Sequence, residues 1–385
     1  MAEPSDTEKF LVVFTGGGSG GHVYPLMAIA DALTTKLQAL KAAYQYFYIG
    51  PNDPFAVLLK SRGMAMRPII AGKVRRYLSV ENILDVPKFI VGFIQSLWQL
   101  YVIMPDVVFS KGGTGSLGVV IAAWFYRIPV LIHESDAQPG LNNLVSSRFS
   151  REIFVSFNRA AAYFNPAITK LTGVPLRSDL LIQRTTKELA KENLGFDPTK
   201  PLTLILGGSQ GSMRLNEFVL ENFDAFLKRT QVLHQTGQAN FGDVQKLSHA
   251  AILELPATGT NRYEAIGFFE DNMAMALAAA DLVVSRSGSA VFEFAAFGLP
   301  AILIPLSESA NDHQLIDAEE FARTGAGVVI EEENLVPGIF FAQLDKILSN
   351  DTVRKTMSAA SAQFFIPNAA ETIAGEIIGV VAGTA

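Results

Sequence analysis

The fold class is indicated by one stretch near the start of the chain, Phe10-Leu-Val-Val-Phe-Thr15-Gly-Gly-Gly-Ser-Gly-Gly-His22-Val-Tyr-Pro25. An apolar run typical of a buried strand passes into a glycine-rich loop, and a helical pattern opens near Pro25. The same succession of strand, loop and helix recurs at Gly112–Gly115, Gly207–Gly211 and Ser287–Ser289. Strands that alternate with helices along the whole chain predict an α/β protein with parallel sheets.

The predicted strands fall into two groups. The first half contains Phe10–Thr15, Tyr44–Ile49, Asp106–Ser110, Ile128–His133 and Glu152–Phe157. The second half contains Leu202–Leu206, Val232–Gln235, Ala265–Phe269, Leu282–Ser285, Ala301–Leu306 and Gly327–Ile330. The turn sequence Gly173–Leu176 separates the groups, so we expect an N-terminal domain over residues 1–175 and a second domain over 176–366.

Composition excludes several classes of protein. The 385 residues are 49% hydrophobic and 18% charged, which is enough apolar surface for two cores and excludes global disorder. The chain has no cysteine, which excludes disulfide scaffolds, thiolate metal sites and cysteine nucleophiles. Its net charge of −6 is unevenly divided, because residues 1–176 carry +5 and residues 177–385 carry −11. We therefore expect only the basic half to face an anionic partner.

The four glycine-rich loops are candidate anion sites. Such loops leave backbone N–H groups unpaired at a helix N-terminus, where the helix dipole favours an anion. Ligands of open parallel sheets bind beyond the carboxyl ends of the strands, so two sheets facing each other across a cleft would place all four loops around one site. The alternative is that the glycines only permit tight turns between strand and helix.

The first loop also matches the dinucleotide fingerprint G-x-G-x-x-G, but the match is incomplete. That fingerprint expects an acidic residue at the end of the second strand, whereas Asp53 arrives late and directly before a proline. His22 is the more informative residue. Because a helix dipole lowers the pKa of an imidazole at the helix N-terminus, His22 is a candidate general base, or else a structural cap.

The longest apolar stretch, Phe89–Met104, predicts a helix that is too short and too interrupted to span a bilayer. Its polar residues form a narrow stripe at helical spacing, namely Lys88, Gly92, Gln95, Ser96 and Gln99. One interpretation is a core helix with one edge in water. The other is a helix resting on an anionic membrane surface, which the neighbouring cations favour: Lys60, Arg62, Arg67, Lys73, Arg75 and Arg76. The first nine residues lack the pattern of a secretory leader.

The motifs in their order resemble those of the MurG family, the UDP-N-acetylglucosamine transferases that convert lipid I into lipid II in peptidoglycan synthesis. The resemblance begins at the segment from Thr15 to Pro25. It continues through Ser110-Lys-Gly-Gly, His133-Glu-Ser-Asp136-Ala-Gln-Pro-Gly140-Leu, Thr172-Gly-Val-Pro-Leu-Arg177, Gly207-Gly-Ser209-Gln-Gly, His234-Gln-Thr-Gly237, Ser285-Arg-Ser-Gly288, Phe292-Glu293-Phe and His313-Gln314. It therefore covers nearly the whole chain.

The resemblance implies a GT-B fold, two Rossmann-like domains facing across a cleft, with a C-terminal helix over residues 367–385 packing back on the first domain. It implies an inverting transfer of N-acetylglucosamine from UDP-N-acetylglucosamine to the C4 hydroxyl of the muramyl group of lipid I. The expected partners are these two substrates and an anionic membrane surface, with no nucleic acid. The expected location is the cytoplasmic face of the cell membrane, as a peripheral protein. The sequence has no Asp-x-Asp signature, so we expect no metal and no cofactor.

The resemblance also assigns roles to individual residues. The proton of the acceptor hydroxyl would go to His22, with Asp136 as the second candidate, and Asp136 also matches a donor-contacting position. Glu293 would accept the ribose hydroxyls of UDP, and Arg177 would approach the donor diphosphate. The other expected substrate-binding residues are Gly17, Gly18, Ser19, Gly20 and Gly21 of the first loop, Ser209 and Gln210 at the diphosphate, Phe269 and Glu270 at the uracil, Gly288 and Ser289 of the fourth loop, and His313 and Gln314 at the donor sugar.

The sequence departs from the family pattern in three places. Asp136 stands where Asn is frequent, Asp317 stands where Asn is usual, and the segment from Arg286 to Glu293 is one residue short. Three alternative functions fit parts of the pattern. They are another GT-B enzyme for UDP-sugars (a glycolipid glycosyltransferase or an epimerase), a non-catalytic nucleotide-sugar-binding partner, and a nicotinamide oxidoreductase.

Overall fold

Two α/β units make up the chain, each built on one parallel sheet. The computed structural model describes residues 9–72, 80–182, 185–208, 211–255, 261–269, 272–306 and 313–383. The first unit comprises residues 1–178 and 366–385, and the second comprises residues 179–365. The predicted class, α/β with parallel sheets, is confirmed.

The strands are β1 (Phe10–Gly17), β2 (Tyr44–Gly50), β3 (Ala65–Pro68), β4 (Val107–Gly113), β5 (Val130–Glu134), β6 (Glu152–Val155), β7 (Thr169–Leu171), β8 (Leu202–Leu206), β9 (Gln231–Gln235), β10 (Tyr263–Ile266), β11 (Leu282–Ser285), β12 (Ala301–Leu303) and β13 (Gly327–Val329). The first sheet has the order β3-β2-β1-β4-β5-β6-β7, and the second has the order β10-β9-β8-β11-β12-β13. Each order reverses direction once, between β1 and β4 and between β8 and β11.

The helices are α1 (Gly20–Ala39), α2 (Val80–Ile103), α3 (Ser116–Phe125), α4 (Leu141–Ser146), α5 (Asn158–Ala161), α6 (Ser178–Ile182), α7 (Lys187–Asn193), α8 (Met213–Glu221), α9 (Phe223–Leu227), α10 (Phe241–Glu254), α11 (Met273–Ala279), α12 (Val291–Ala296), α13 (His313–Arg323), α14 (Pro337–Leu348), α15 (Asp351–Phe364) and α16 (Ala369–Ala382). Helix α1 begins five residues before Pro25, so the expectation that Pro25 opens it is wrong.

Helix α16 belongs to the first unit although it lies at the end of the chain. It packs against α1 and buries Ile373, Ile377 and Val380 in the core shared by β1, β2 and β4. Glu376 of α16 forms an ion pair with Lys170, with 2.8 Å between the carboxylate oxygen and Nζ. The last helix therefore completes the core of the first unit.

Two strands of the first sheet are absent from the predicted set. Strands β3 and β7 form its two edges, and they are only four and three residues long. An edge strand has one neighbour and is half exposed, so its sequence needs no apolar run. The strand predicted over Ala265–Phe269 lies earlier, at Tyr263–Ile266, because Phe269 follows the strand in a loop.

Helix α2 reverses the expected amphipathic pattern. Most of the polar stripe faces the protein, since Ser96 is fully buried and Gln95 accepts the Ile70 N–H at 2.7 Å, whereas Lys88 is exposed. Many apolar side chains face outward, with Trp98 64% exposed, and Leu100 and Ile103 are buried. The interpretation as a core helix with a polar edge in water is therefore wrong for the described residues.

Two stretches are long and apolar enough to cross a membrane, by length and composition only: Asp85–Ile103 and Asp351–Ala382. The first is most of α2, and 22% of its apolar window is buried. The second is not one helix, because the chain leaves the helical conformation between α15 and α16. The basic residues Lys73, Arg75 and Arg76 lie outside the described residues.

Candidate active site

The glycine-rich loops lie at the points where the two sheets reverse their strand order. The loops after β1 and β4 flank the reversal in the first sheet. Described glycines Gly207, Gly208 and Gly211 follow β8, and Gly288 follows β11, at the reversal in the second sheet. Ligands of doubly wound α/β folds bind beyond the strand ends at such switch points. Each unit therefore presents one candidate binding site built by two loops.

The first loop closes tightly on the end of the neighbouring strand β2 and the segment after it. The Asp53 carboxylate accepts the Gly18 N–H at 3.0 Å, and the Tyr48 hydroxyl donates to the Gly16 carbonyl at 2.5 Å. A Cβ on Gly17 would lie within 2.9 Å of both Asp53 and Tyr48, so only glycine fits there. Asp53 thus closes the loop instead of standing where a ribose-binding carboxylate would stand in a dinucleotide site.

His22 lies in the first turn of α1, against the second glycine loop. Its Nδ1 is 3.0 Å from Ser19 Oγ, and a Cβ on Gly113 would touch its ring at 3.2 Å. The pKa of His22 is lowered to about 3, first by burial and then by the Lys111 cation, while the Asp53 carboxylate acts in the opposite direction. The direction matches the sequence prediction, but burial replaces the helix dipole as the main cause. The imidazole is neutral at physiological pH.

Lys111 lies beneath both loops of the first unit. It is 1% exposed, and its Nζ donates to Ser135 Oγ in the segment after β5. Burial lowers the pKa of Lys111, whereas the carboxylates of Glu134 and Asp136 favour its charged form. The first unit thus holds a buried lysine beneath its two glycine loops.

Asp136 is held by the residue two positions before it. Glu134 accepts the Asp136 N–H through one carboxylate oxygen at 3.0 Å, and the Gly140 N–H and the Asn143 amide through the other, both at 3.0 Å. Burial is the main cause that raises the pKa of Glu134, with Asp136 adding to it and Lys111 opposing it. These bonds fix the backbone that carries Asp136.

Arg177 lies in the first unit, at the end of the segment after β7. Its guanidinium carbon lies 4.8 Å from the centre of the Tyr24 ring of α1, a cation–π contact. Tyr24 follows His22 by two residues. Arg177 therefore contacts α1, the helix that contains His22.

The second unit contains an open pocket of about 480 Å³ at its switch point. Six of the residues that line it carry the argument below: Gly207, Gly208, Ser212, Arg286, Gln314 and Glu332. The pocket brings together residues that follow β8 and β11 with the start of α13. Its size suits a nucleotide or sugar moiety.

Arg286 joins three sides of this pocket. Its guanidinium donates to Ser212 Oγ at 2.8 Å, to Glu332 at 2.5 Å and to the Ile304 carbonyl at 3.1 Å. These partners follow β8, β13 and β12 respectively. A planar guanidinium with several donors suits such a clamp better than a lysine would. Arg286 therefore shapes the pocket wall.

Gln314 is the expected sugar-binding residue that lines the pocket. Its side-chain oxygen accepts the Leu306 N–H at 3.0 Å, and its backbone carbonyl accepts the Ser287 hydroxyl at 2.6 Å. His313 precedes it as the first residue of α13. These bonds hold the start of α13 on the loops that follow β11 and β12.

The other expected donor residues have separate positions. Gly288 adopts a φ of +127° with open space around it, Ser289 follows it, and Glu293 lies in the first turn of α12. Phe269 is buried, and its N–H donates to the Gln235 side chain at 3.2 Å. Ser209, Gln210 and Glu270 lie outside the described residues. The described part of the chain contains no group of three acidic or histidine side chains placed to hold a metal.

The sequence argument missed Lys111, Arg286 and Ser212. A signal was present for the first two, because each is a charged residue directly after an apolar strand and before a glycine-rich loop. Ser212 gave the weaker signal of an N-cap, and its hydroxyl accepts the Leu215 N–H. Each of the three also forms hydrogen bonds with residues of neighbouring elements. Its position therefore has a structural reason apart from substrate binding.

Comparison with known proteins identifies the family. The N-terminal domain model of glycosyltransferase family 28 matches residues 12–155, and its C-terminal domain model matches residues 202–373. The UDP-N-acetylglucosamine–N-acetylmuramyl-(pentapeptide) pyrophosphoryl-undecaprenol N-acetylglucosamine transferase 2 of Bacillus cereus is 35% identical over 348 residues, which is 90% of this chain and 93% of that protein. The transferase of the same name, without a number, from Treponema pallidum is 35% identical over 98% of this chain and 97% of its own length.

Solved structures agree with the sequence relatives. MurG of Acinetobacter baumannii superposes with a TM-score of 0.72 at 26% identity, covering 96% of this chain and 99% of that one. A UDP-GlcNAc 2-epimerase of Neisseria meningitidis has a TM-score of 0.65 at 15% identity over 96% of this chain and 99% of its own, a likeness of fold alone. The expected resemblance is confirmed, and the chain belongs to glycosyltransferase family 28 and within it to the MurG family of N-acetylglucosamine transferases.

Proposed function

We propose that this chain transfers N-acetylglucosamine from UDP-N-acetylglucosamine to the C4 hydroxyl of the muramyl group of lipid I, which forms lipid II. The observation that carries the proposal is the half-buried His22 between two glycine loops of the first unit, whose lowered pKa keeps the imidazole neutral. A sugar hydroxyl is a weak nucleophile and needs a base that is unprotonated at neutral pH. The names of the full-length relatives support the same reaction.

The second unit binds the donor. The Gly207 N–H already donates to the Gln235 carbonyl at 3.3 Å, so the diphosphate is bound by the Gly208 N–H of the pocket, together with Ser209 and Gln210 that follow it in the sequence. Glu293 accepts hydrogen bonds from the ribose hydroxyls. The uracil is contacted by Phe269 and Glu270. Gln314, with His313 beside it, contacts the donor sugar, while Gly288 and Ser289 let the backbone approach it closely.

The first unit holds the acceptor and the base. With Nδ1–H donating to Ser19 Oγ, the Nε2 lone pair of His22 can accept the hydroxyl proton. The new bond joins the acceptor oxygen to the anomeric carbon, and the bond to UDP breaks with its electron pair on the phosphate oxygen. Asp136 is the second candidate for the proton. The other loop residues, Gly17 to Gly21, line the acceptor.

Negative charge on the leaving UDP has to be stabilised as it develops. Preorganised N–H donors of a glycine loop do this without reorganising at the moment of reaction. Arg177 adds a fixed cation for the diphosphate, and its stacking on Tyr24 holds its side chain in a defined position. The second unit is acidic overall, so these local donors have to act against the bulk charge.

The first unit rests peripherally on the cytoplasmic face of an anionic membrane. Apolar side chains of α2 and the end of α3 form one exposed face, here called the apolar face: Val86, Ile90, Val91, Ile94, Trp98, Tyr101, Val102, Trp124 and Phe125. Contiguous exposed patches of this kind mark interaction sites, and Trp and Tyr suit the lipid–water interface. The basic residues around it would meet anionic headgroups.

Transfer of radiolabelled N-acetylglucosamine to a lipid I analogue tests the proposal. The expected product is a lipid-linked disaccharide that forms only when donor, acceptor and protein are all present. Release of a 2-epimer from the donor without acceptor would favour the epimerase instead. Binding without turnover would favour the non-catalytic partner.

A thermal-shift series tests donor choice independently. UDP and UDP-N-acetylglucosamine are expected to raise the melting temperature, because a ligand that binds only the folded state stabilises it. Stabilisation by NADH and not by UDP would contradict the proposal and favour an oxidoreductase. Stabilisation by UDP-glucose with equal transfer would point to another sugar specificity.

A further inference from the structure

The cation of Lys111 is the strongest unexplained feature of the first unit. The Lys111 side chain is 1% exposed. A Cβ added to Gly16 would come within 3.0 Å of the Lys111 Cβ, so Lys111 lies directly under the first loop. Isolated buried charges are costly, and they persist only with compensating partners. A neutral residue could fill the same volume without that cost.

The partners of Lys111 lie at the end of β5 and in the segment after it. Its Nζ donates to the Ser135 hydroxyl, and the carboxylates of Glu134 and Asp136 on either side favour its charged form. Glu134 already accepts three N–H groups of this segment. Lys111 therefore links the second glycine loop to the residues that carry Asp136.

The same cation acts on His22. The His22 ring lies against Gly113, two residues after Lys111, and Lys111 lowers the pKa of that imidazole. The other groups that face His22 are Asp53, which raises its pKa, and Ser19, which is hydrogen-bonded to Nδ1. A base beside a fixed cation stays unprotonated to lower pH.

We propose that Lys111 is a positioning residue for the transfer reaction: its buried ammonium group, anchored on Ser135, sets the electrostatic environment of His22 and holds the segment that carries Asp136. The proposal rests on the proposed function for its meaning in catalysis. Lys111 touches neither substrate and acts through His22 and Asp136. Its effect is therefore on the proton-transfer step and not on donor binding.

Nuclear magnetic resonance titration of the imidazoles tests the electrostatic part without substrate. The chain has five histidines, and loss of one signal in His22→Gln assigns the resonance. In the wild-type protein His22 is expected to remain neutral down to about pH 4, given a pKa of about 3. Lys111→Met is expected to move the His22 titration up by about one pH unit or more, because the repelling cation is gone.

Lys170→Met is the matched control, because it removes a lysine of the same unit that pairs with Glu152 and Glu376 away from the loops. It is expected to leave the His22 titration unchanged. An equal His22 titration in Lys111→Met and wild type would overturn the proposal. So would a wild-type His22 that titrates near pH 6.5, a result that needs no variant to fold.

Lys111→Met leaves the buried Glu134 and the half-buried Asp136 without this cation, so it is expected to melt at lower temperature than wild type. The double variant Lys111→Met/Asp136→Asn restores the charge balance and is expected to regain part of the lost melting temperature. Its His22 titration stays shifted, because the cation is still missing. A double variant no more stable than the single one would contradict the pairing of Lys111 with Asp136.

The pH dependence of turnover tests the catalytic part. The wild-type transfer assay comes first, since its failure would remove the proposed function and not the electrostatic result. In Lys111→Met the acidic limb of the kcat profile is expected at higher pH, with the KM for UDP-N-acetylglucosamine within about twofold of wild type. A uniform loss of kcat at every pH would show a merely structural role and overturn the proposal.

Discussion

At the scale of single residues, the first glycine loop shows how one motif can serve different chemistry. A literal G-x-G-x-x-G is present, yet the Asp53 carboxylate already occupies the Gly18 N–H. That amide is therefore not available to a pyrophosphate oxygen, and a second anion beside Asp53 would be repelled. Burial beside the closed loop lowers the pKa of His22, so its imidazole stays neutral. The loop therefore holds a neutral imidazole, as the proposed base requires.

Replacing the base is expected to affect turnover and not donor binding. His22→Gln keeps a polar side chain but removes proton acceptance, so kcat is expected to fall by about 10²-fold or more. The KM for UDP-N-acetylglucosamine is expected to change little. Steady-state kinetics measure both, with His249→Gln on the exposed face of α10 as the control. Full turnover by His22→Gln would remove His22 as the base and leave Asp136.

The Arg286 clamp is expected to matter for both folding and donor binding. Arg286→Met leaves Glu332, 18% exposed in its side chain, without its cation and Ser212 without its donor. We expect the second unit to lose about 2 kcal/mol or more of unfolding free energy, and UDP to bind more weakly. Urea unfolding and calorimetry measure the two effects. Arg323→Met, which removes a 62% exposed side chain that pairs with Glu319 and Glu320 within α13, is the control and is expected to change neither.

At the scale of elements, helix α2 has one face that packs against the protein and another that is exposed. Its inner face contacts the segment Ile69–Ala71 and α3, and a Cβ on Gly92 would meet the Ile70 carbonyl at 2.0 Å. Its outer face carries large apolar side chains that are mostly exposed, such as Ile94 and Trp98. Close backbone packing inside and apolar exposure outside suit a helix whose outer solvent is lipid.

A charge placed on either face of α2 should have opposite consequences. Trp98→Glu on the apolar face is expected to weaken binding to anionic vesicles by about tenfold or more, without lowering the melting temperature. Ser96→Glu, at a fully buried position, is expected to lower the melting temperature. Vesicle co-sedimentation and thermal melts of the two variants separate the faces. Unchanged vesicle binding by Trp98→Glu would contradict the membrane proposal.

At the scale of the whole molecule, two units of one fold carry opposite net charge. The first unit contains the basic part of the chain and is completed by α16 from its far end. The second is acidic and has its own aromatic core, in which Phe218, Phe226 and Phe340 contact one another. Buried neutral histidines occur in both units.

These histidines predict that the protein loses stability on mild acidification. The pKa values of His22 and His234 are lowered to about 3 and that of His133 lies well below its usual value, in each case mainly by burial. The unfolded chain binds these protons below about pH 6.5, whereas the folded chain does not until far lower pH. The unfolding free energy therefore falls from about pH 6.5 towards 3, by roughly 1.4 kcal/mol per pH unit for each histidine.

Urea unfolding at several pH values, followed by circular dichroism, measures this slope. His234→Gln is expected to make the slope shallower by one proton, since His234 is buried in the second unit. The exposed His249→Gln is expected to leave it unchanged. Equal slopes in His234→Gln and wild type would contradict the assignment of a buried neutral imidazole.

Much of the fold could be read from local pattern, because central parallel strands are continuous apolar runs. Strands β1, β4 and β8 were predictable for this reason, and the glycines after them marked the loops at the switch points. Edge strands β3 and β7 were not, because Ala65–Pro68 and Thr169–Leu171 are too short and too polar to form an apolar run. The outward direction of Trp98 was not predictable either, since periodicity separates two faces without saying which one meets solvent.

The candidate site likewise contains residues that the sequence could identify and residues that it could not. His22 and Gln314 stand in motifs, so sequence reasoning could name them and assign their roles. Lys111 and Arg286 also stand next to glycine loops, but their partners, Ser135 and Glu332, lie 24 and 46 residues away in the chain. No spacing rule connects residues so far apart. Only the order of the strands brings them together.

The sequence alone determined the α/β class, the four glycine loops, the split of charge and the family, because these depend on residue type and local period. The tertiary structure decided which residues surround His22, which face of α2 is exposed and how α16 completes the first core. Those features depend on burial and on contacts between distant segments. A pKa shift or a clamp arises from neighbours in space, and the chain acquires them only by folding.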